Sequence, residues 1–537
     1  MRVDADVAVV GAGFAGSLTA LALRSIGRSV VLVERGRHPR FAIGESSTPL
    51  ANLLLEELAD RYDLPRIRVF SKWGTWQRAR PDVGGGLKRG FTFFFHRPGE
   101  RFGDDPDHER QLMVAASPHD DIGDTHWYRP DFDHNLVREA EAAGAIYTDE
   151  TVIDRVAIDR DRSTLEGTRL GQPVRISASF VVDASGPRGL LSRSLRLGDR
   201  PLRWLPPTQG LYTHFEDVTR WDRLRPQAGA PYPPDDAAVH HVFPGGWIWM
   251  LRFNNGITSA GAALTDQTVI GSAGTRGSGL EVISANDGAS AWERLLAMLP
   301  AVRDQFAGAR AIHPWIRAPR LAFRTTRVAG PGWALLPSAA GVIDPLLSTG
   351  FPLTLLGIQR LLGILERTSS SPEHEAALRE YERITLAELD ATEQLVAALY
   401  ASMDDMPLFK RLTLLYFAAA SFSEASRRLS RPEQAPGFLL HAHPAFGSDL
   451  HACAMIALAG PRGRAREALL EEIDRAIEPF DVAGLNDRSR RDWYPVLADD
   501  LMKNASKLHA SRSEVDRLLD RCGFNPTFRD PSSPRAT

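Results

Sequence analysis

The sequence predicts an α/β protein: a Rossmann-type nucleotide-binding domain, an antiparallel sheet, and a C-terminal helical domain. Three observations predict it. A glycine loop sits between two short apolar strands at the start of the chain, a strand-rich aromatic stretch occupies the middle, and helical spacing dominates from about residue 371 onward. The length of 537 residues suits several domains or subdomains. With 43% hydrophobic and 24% charged residues the composition is that of a globular protein, and a net charge of −3 gives no reason to expect nucleic acid or an anionic membrane as partner.

The first element is the β-branched run Val7 to Val10, which leads into Gly11-Ala12-Gly13-Phe14-Ala15-Gly16. A helix follows over Ser17 to Ile26, and Ser29 to Val33 forms a second strand ending at Glu34-Arg35. The glycines have separate tasks. Gly11 permits the tight turn, Gly13 lets backbone approach a pyrophosphate, and Gly16 allows close packing of helix on strand. The helix N-terminus offers N–H groups to phosphates. Glu34 lies where an acid accepts hydrogen bonds from an adenosine ribose. Arg35 and the later Gly44-Glu45-Ser46-Ser47-Thr48-Pro49 favour FAD over NAD, because a polar turn and an amphipathic helix at Leu50 to Ala59 replace further βα units.

Further along, Ser71-Lys72-Trp73-Gly74-Thr75-Trp76 sets a lysine among aromatics. Arg129-Pro130-Asp131-Phe132-Asp133 is followed by a helix expected from about His134 to Ala143, and Val181-Val182-Asp183-Ala184-Ser185-Gly186 is a strand entering a glycine turn. Asp344-Pro345-Leu346-Leu347-Ser348-Thr349-Gly350 is a Pro- and Gly-containing string of the kind that connects a strand to a helix.

Together these segments resemble flavin-dependent halogenases, within the wider class of two-domain flavoprotein monooxygenases. The resemblance implies an FADH2-dependent enzyme that uses O2 and chloride or bromide, through a flavin hydroperoxide and hypohalous acid. It places FAD against Gly11, Gly13, Phe14, Ala15, Gly16, Glu34, Arg35, Glu45, Ser46, Arg129, Asp183, Ser338, Asp344 and Pro345. It gives Lys72 the handling of hypohalous acid and Thr349 and Gly350 the halide. A separate flavin reductase is the implied partner, and the acceptor is an aromatic small molecule or one carried on a carrier protein.

The chain departs from the expected pattern in three places, twice from the tryptophan-specific members and once, at Ser338, from the wider class. Trp247-Ile248-Trp249 is followed by Met250-Leu251-Arg252 where those enzymes have x-Ile-Pro, which leaves aromatic hydroxylation with NAD(P)H as an alternative. A reductase of polyprenyl chains is a more distant one. Leu347 stands where the free-tryptophan enzymes carry glutamate before S-T-G, so a phenolic or pyrrolic substrate is expected. Ser338 in Pro337-Ser338-Ala339-Ala340 replaces the aspartate expected to bind the ribityl chain.

The domain reading is 1–200 for the first part of the FAD-binding domain, 201–320 for the antiparallel substrate sheet, and 321–370 for the return to the FAD-binding domain. A helical domain covers 371–524 and a disordered tail 525–537. Phe93, Phe95, Trp247 and Trp249 are candidates to line the substrate pocket. Helices are expected at Glu373 to Ser402, Pro407 to Ser430, Arg464 to Ile477 and Tyr494 to Arg521. His441, His443, Asp449, His451 and Cys453 match no zinc spacing, so no metal is expected. Two cysteines, Cys453 and Cys522, make a reducing cytoplasm the expected setting, and no uncharged apolar stretch reaches the roughly 18 residues of a membrane span.

Overall fold

A computed structural model describes residues 1–266, 288–367 and 372–524. The first sheet runs in the order Ala329–Gly330, Trp333–Leu335, Gln172–Asp183, Arg2–Val10, Val30–Val33, Ile146–Thr148. Arg2–Val10 is parallel to both of its neighbours, with Val7 opposite Val30 on one side and Phe180 on the other. Burial on both faces explains its run of β-branched residues. The crossover helix Phe14–Ser25 begins three residues before the expected start, because Gly13 is already its N-cap. The return segment joins this sheet through Trp333–Leu335, parallel to Gln172–Asp183.

The second sheet has nine strands among the described residues, and two features differ from expectation. Its strands Gly90–Phe95 and Gln111–Ala115 come from within 1–200, and Trp493–Tyr494 comes from the helical region, so the sheet is not confined to 201–320. It is also mixed: Ala238–Phe243 runs parallel to Gly90–Phe95, and Trp493–Tyr494 runs parallel to Gln111–Ala115. Strands recruited from distant chain segments carry no turn signal that would fix their direction.

The expected C-terminal helices are seen as Pro372–Ala401, Met406–Arg428 and Arg464–Ile477. Tyr494 to Arg521 is a broken segment: a strand, then helices Ala498–Lys503 and Arg512–Arg521. Pro495 withholds a backbone donor at the start, and Ser511 with Glu514 forms a capping box that begins the last helix anew. The tail 525–537 lies outside the described residues. A further helix, Phe446–Leu458, carries Asp449, His451 and Cys453. His451 Nδ1 lies 2.8 Å from Gln394 Oε1, and His441 Nδ1 lies 3.1 Å from the Phe438 carbonyl. Among the described residues no three His, Cys, Asp or Glu side chains are grouped to hold a metal.

One stretch, Leu346–Leu365, is apolar and long enough to cross a membrane, but 72% of it is buried within the protein. It packs on Phe14–Ser25, Pro49–Arg61 and Pro372–Ala401 and serves as the hub between the nucleotide-binding layer and the C-terminal helices.

Candidate active site

The nucleotide end is built from backbone and guanidinium groups. Gly11 has φ +100°, and a Cβ there would lie 2.5 Å from the Ala184 carbonyl oxygen. A Cβ on Gly16 would come within 1.9 Å of the Gly11 oxygen, so the third glycine packs the helix onto the loop itself. Gly13 faces Arg129 and Arg40, whose Nη2 atoms would be 3.4 and 3.6 Å from an added Cβ. Phe14 packs edge-on against Trp127 and Phe351, while the Ala15 carbonyl accepts from Thr19 Oγ1. Both residues support the loop from inside. Glu34 accepts from the N–H groups of Ala12 (3.0 Å) and Gly36 (2.9 Å). Burial alone would raise its pKa, but Arg40 and those two N–H groups hold the carboxyl below the usual range. Arg35 is exposed; Arg40, five residues on, is the arginine that reaches this site. Its buried Nε has no hydrogen-bond partner among the described residues, which suits a phosphate oxygen. Glycines that leave room, two guanidinium groups and an ionised Glu34 fit the adenosine diphosphate half of FAD.

Several predicted FAD contacts are occupied within the protein. Arg129 forms a bidentate pair with Asp133, both bonds 2.7 Å, and donates to the Ile43 and Gly44 carbonyls. It therefore fixes the segment Gly44 to Ser47 as well as facing Gly13. Glu45 is buried against His214 Nε2 at 2.8 Å, which ties that segment to the second sheet. Asp183, with its carboxyl pushed up by burial, accepts from the N–H groups of Ser185 and Leu191 and so caps its own turn. Ser338 is half-buried in the short helix Pro337–Ala340.

The turn after Asp344 departs from ordinary backbone. Leu347 (φ 64°) and Ser348 (φ 55°) are both left-handed without being glycine, and such residues cost roughly 1 to 3 kcal/mol each. Asp344 accepts from the Leu346 N–H at 3.0 Å and from Tyr400 Oη at 2.9 Å. Trp247 Nε1 donates to Tyr400 Oη at 3.2 Å. Burial raises the Asp344 pKa to about 6. Tyr416 Oη donates to the Leu347 carbonyl at 3.0 Å. Pro345 is half-buried in this turn; Thr349 is buried, and Gly350 is exposed as the first residue of the helix Gly350–Leu365, whose leading N–H groups have no partners within the helix.

Two lysines stand near one buried carboxylate. Lys72 caps the helix Trp73–Ala79, its side chain is 20% exposed, and its Nζ is 4.0 Å from Asp124. Lys88 is fully buried and lies directly across the two-stranded ribbon Gly85–Lys88/Asp124–Trp127 from Asp124. Its Nζ donates to Ser46 Oγ at 2.9 Å and to the Ser47 carbonyl, and sits 3.6 Å from the centroid of the Phe91 ring. Burial pulls the Lys88 pKa down, and Asp124 opposes that shift; burial pushes Asp124 up. Lys88 escaped the sequence reading although Lys88-Arg89-Gly90 has the same K-x-G spacing as Lys72-Trp73-Gly74, with aromatics close behind.

A cavity of about 670 Å³ opens beside them, walled by Lys72, Phe91, Tyr416, Phe417, Glu424 and Arg428. Phe91 separates it from Lys88. Phe93, Phe95, Trp247 and Trp249 do not line it. Their strands are central, with both faces covered: Phe93 stacks on His240 and meets Phe409, which Phe95 also packs against. Trp249 donates to Ser259 Oγ. Arg252 is held by Asp235 and by the carbonyls of Val218 and Thr219.

A glycine loop that fits a dinucleotide, a strained turn at a helix start and a buried lysine behind one wall of an aromatic-lined cavity are features that a flavin-dependent oxidoreductase would use. The family model described as tryptophan halogenase matches residues 126–416, and an NAD(P)-binding Rossmann-like model matches residues 9–51. The chain belongs to this halogenase family and is a flavin-dependent halogenase with FAD as cofactor. It is 29% identical over 411 residues to monodechloroaminopyrrolnitrin halogenase PrnC of Pseudomonas fluorescens, covering 75% of this chain and 69% of that one. Tetracycline 7-halogenase of Kitasatospora aureofaciens is also 29% identical, over 435 residues, with 77% and 73% covered. Among solved structures, halogenase PltM in complex with phloroglucinol and FAD superposes with a TM-score of 0.78 at 24% identity, covering 91% of this chain and 99% of that one.

Proposed function

We propose that this halogenase places chlorine or bromine on a phenolic or pyrrolic ring bound in the 670 Å³ cavity, with Lys88 delivering the halogen. The observation that carries the reading is the setting of Lys88: fully buried, with Nζ on Ser46 Oγ, behind the Phe91 ring that walls the cavity. When bound, reduced FAD supplies with O2 the oxidising equivalents that turn halide into hypohalous acid. Gly11, Gly13, Gly16, Glu34 and Arg40 would hold its adenosine diphosphate half, and Ser46 and Asp344 are the residues that would meet the rest of the cofactor. Thr349 and Gly350 offer N–H groups to the halide. Lys88 then holds the oxidant by hydrogen bond, and burial excludes water that would compete for it. Lys72, in the cavity wall, orients the aromatic substrate.

Leu347 supports the substrate class. It is fully buried where the tryptophan-specific members carry glutamate, and a ring with its own oxygen or nitrogen donor needs that base less. The names of the two sequence relatives also point to substrates other than tryptophan. The hydroxylase alternative drew on Arg252, which is spent on Asp235 and two carbonyls. Asp183-Ala184, in place of the Asp-Gly tied to NAD(P)H use, supports a separate reductase as source of reduced FAD. The unpaired Cys453 and Cys522 suit a cytoplasmic setting.

The test supplies reduced FAD, O2 and chloride or bromide, with phenol, pyrrole and tryptophan acceptors compared by mass spectrometry. Halogenated phenol or pyrrole is expected, and turnover of tryptophan alone would overturn the substrate class. Lys88→Met, which keeps the volume, should cost at least about 100-fold in product while flavin reoxidation continues. Lys72→Met should cost less than about 10-fold, since it loses only a loose 4.0 Å charge contact with Asp124. The reverse ranking would return the catalytic role to Lys72.

A further inference from the structure

The C-terminal helices touch the anion turn through two hydroxyls, and one of these belongs to a residue that also walls the cavity. We infer that Tyr416 is a positioning residue: its hydroxyl sets the halide turn, and its ring forms the wall between that turn and the Phe91–Lys88 pair. The inference rests on the reading of Thr349 and Gly350 as the halide site.

Tyr416 Oη donates to the Leu347 carbonyl at 3.0 Å. Leu347 and Ser348 hold left-handed φ angles of 64° and 55°, and the two residues that follow present the halide N–H groups. A left-handed pair without glycine relaxes unless something outside the turn holds it. Fixing the Leu347 carbonyl fixes the orientation of the peptide plane it shares with Ser348, and through it the aim of the next two N–H groups. Burial pushes the Tyr416 phenol well above its ordinary range, so the hydroxyl stays a donor at every working pH. The ring of the same residue lies 5.2 Å from Phe417 and 6.5 Å from Phe91, centroid to centroid, and Phe91 carries the Lys88 ammonium on its face. Tyr416 therefore touches the halide turn with one end and the lysine's aromatic shelf with the other. Tyr400 differs: it bonds the Asp344 carboxyl and Trp247 and does not line the cavity.

The experiment compares the full-length enzyme and Tyr416→Phe, both loaded with FAD, measuring product formation against chloride concentration and, separately, against aromatic substrate. The ring remains in the variant, so folding and the cavity wall should persist. The halide KM is expected to rise about tenfold, the effect of one lost hydrogen bond, with aromatic KM and flavin retention within about twofold. Tyr400→Phe, measured alongside, should raise the chloride KM less. An unmoved halide KM in a halide-dependent enzyme overturns the inference alone. A fall in kcat and melting temperature with both KM values raised alike overturns it too, because that marks a packing role only. A wild-type enzyme with no halide dependence overturns the assignment of the turn, and the inference with it.

Discussion

The glycine loop at residues 11–16 and the turn at residues 344–350, the halide site of our proposal, are held by opposite means. At the loop, Gly11 takes φ +100° at no steric cost, and Gly16 is glycine because the Gly11 oxygen occupies the place of its Cβ. The conformation is encoded within six consecutive residues. At the turn, Leu347 and Ser348 adopt a conformation that glycine would prefer, and Tyr416 and Tyr400 hold it from outside through the Leu347 carbonyl and the Asp344 carboxyl. A loop built from its own residues is robust and can be read locally. A turn clamped by distant side chains depends on tertiary packing, and its affinity is open to adjustment from the substrate side.

The comparison breaks most forcefully at Gly16. An added methyl would sit 1.9 Å from backbone oxygen, which cannot swing away as a side chain would. Gly16→Ala is expected to lower stability by about 3 kcal/mol and to abolish FAD retention. Thermal melting and flavin absorbance after gel filtration check both. A variant that keeps its melting temperature and its flavin would show that the loop has slack, and that the contrast with the turn is overstated.

Asp344 gives a smaller and pH-dependent effect. Its folded pKa of about 6 lies above the ordinary 3.8, so the folded state holds this proton more tightly than the unfolded chain. Its contribution is therefore fully present below about pH 4 and is lost as pH climbs toward 6, with a ceiling of about 3 kcal/mol. Asp344→Asn removes the titration. In flavin-free protein, the stability of the variant minus that of wild type should rise between pH 4 and pH 7, read from urea midpoints. His96 and His240, whose pKa values burial pulls down to about 3, act in the opposite sense on acidification, but they cancel in the difference. A flat difference would mean that Tyr400 and the Leu346 N–H already offset the buried charge.

What could be read from the sequence follows the same division. The glycine loop, the parallel strand pair, the position of Glu34 at the end of the second strand, the turn ahead of Gly350 and three of the C-terminal helices are local patterns, and each element stands where local reasoning places it. The lysine was harder, because K-x-G occurs at Lys72 and at Lys88, and only the fold shows which ammonium is stripped of water. Phe93 and Phe95 alternate as a pocket stripe would, yet Phe93 stacks on His240 of the neighbouring strand and both rings pack against Phe409. Tyr400 and Tyr416 lie 56 and 69 residues beyond their partners, and no pattern within the turn announces them. Arg40 hid behind its neighbour Arg35 because exposure cannot be read from a charge.

The finest test moves the logic of the loop into the turn. Ser348 is half-buried at φ 55°, a conformation in which glycine carries no Cβ penalty. Ser348→Gly therefore relieves strain in the folded state while adding freedom to the unfolded one. The two effects are each about 1 kcal/mol and oppose each other, so the melting temperature should shift by no more than a few degrees. Halide binding should respond differently. A glycine at this point lets the peptide plane rotate on either side of its preferred orientation, and the N–H groups of Thr349 and Gly350 lose their fixed aim. The expected result is a halide KM raised about threefold with stability unmoved, which separates preorganisation from folding as the role of the strained pair. If stability rises by the full strain energy and halide KM stays level, the left-handed serine is a tolerated defect and Leu347 alone carries the clamp from Tyr416.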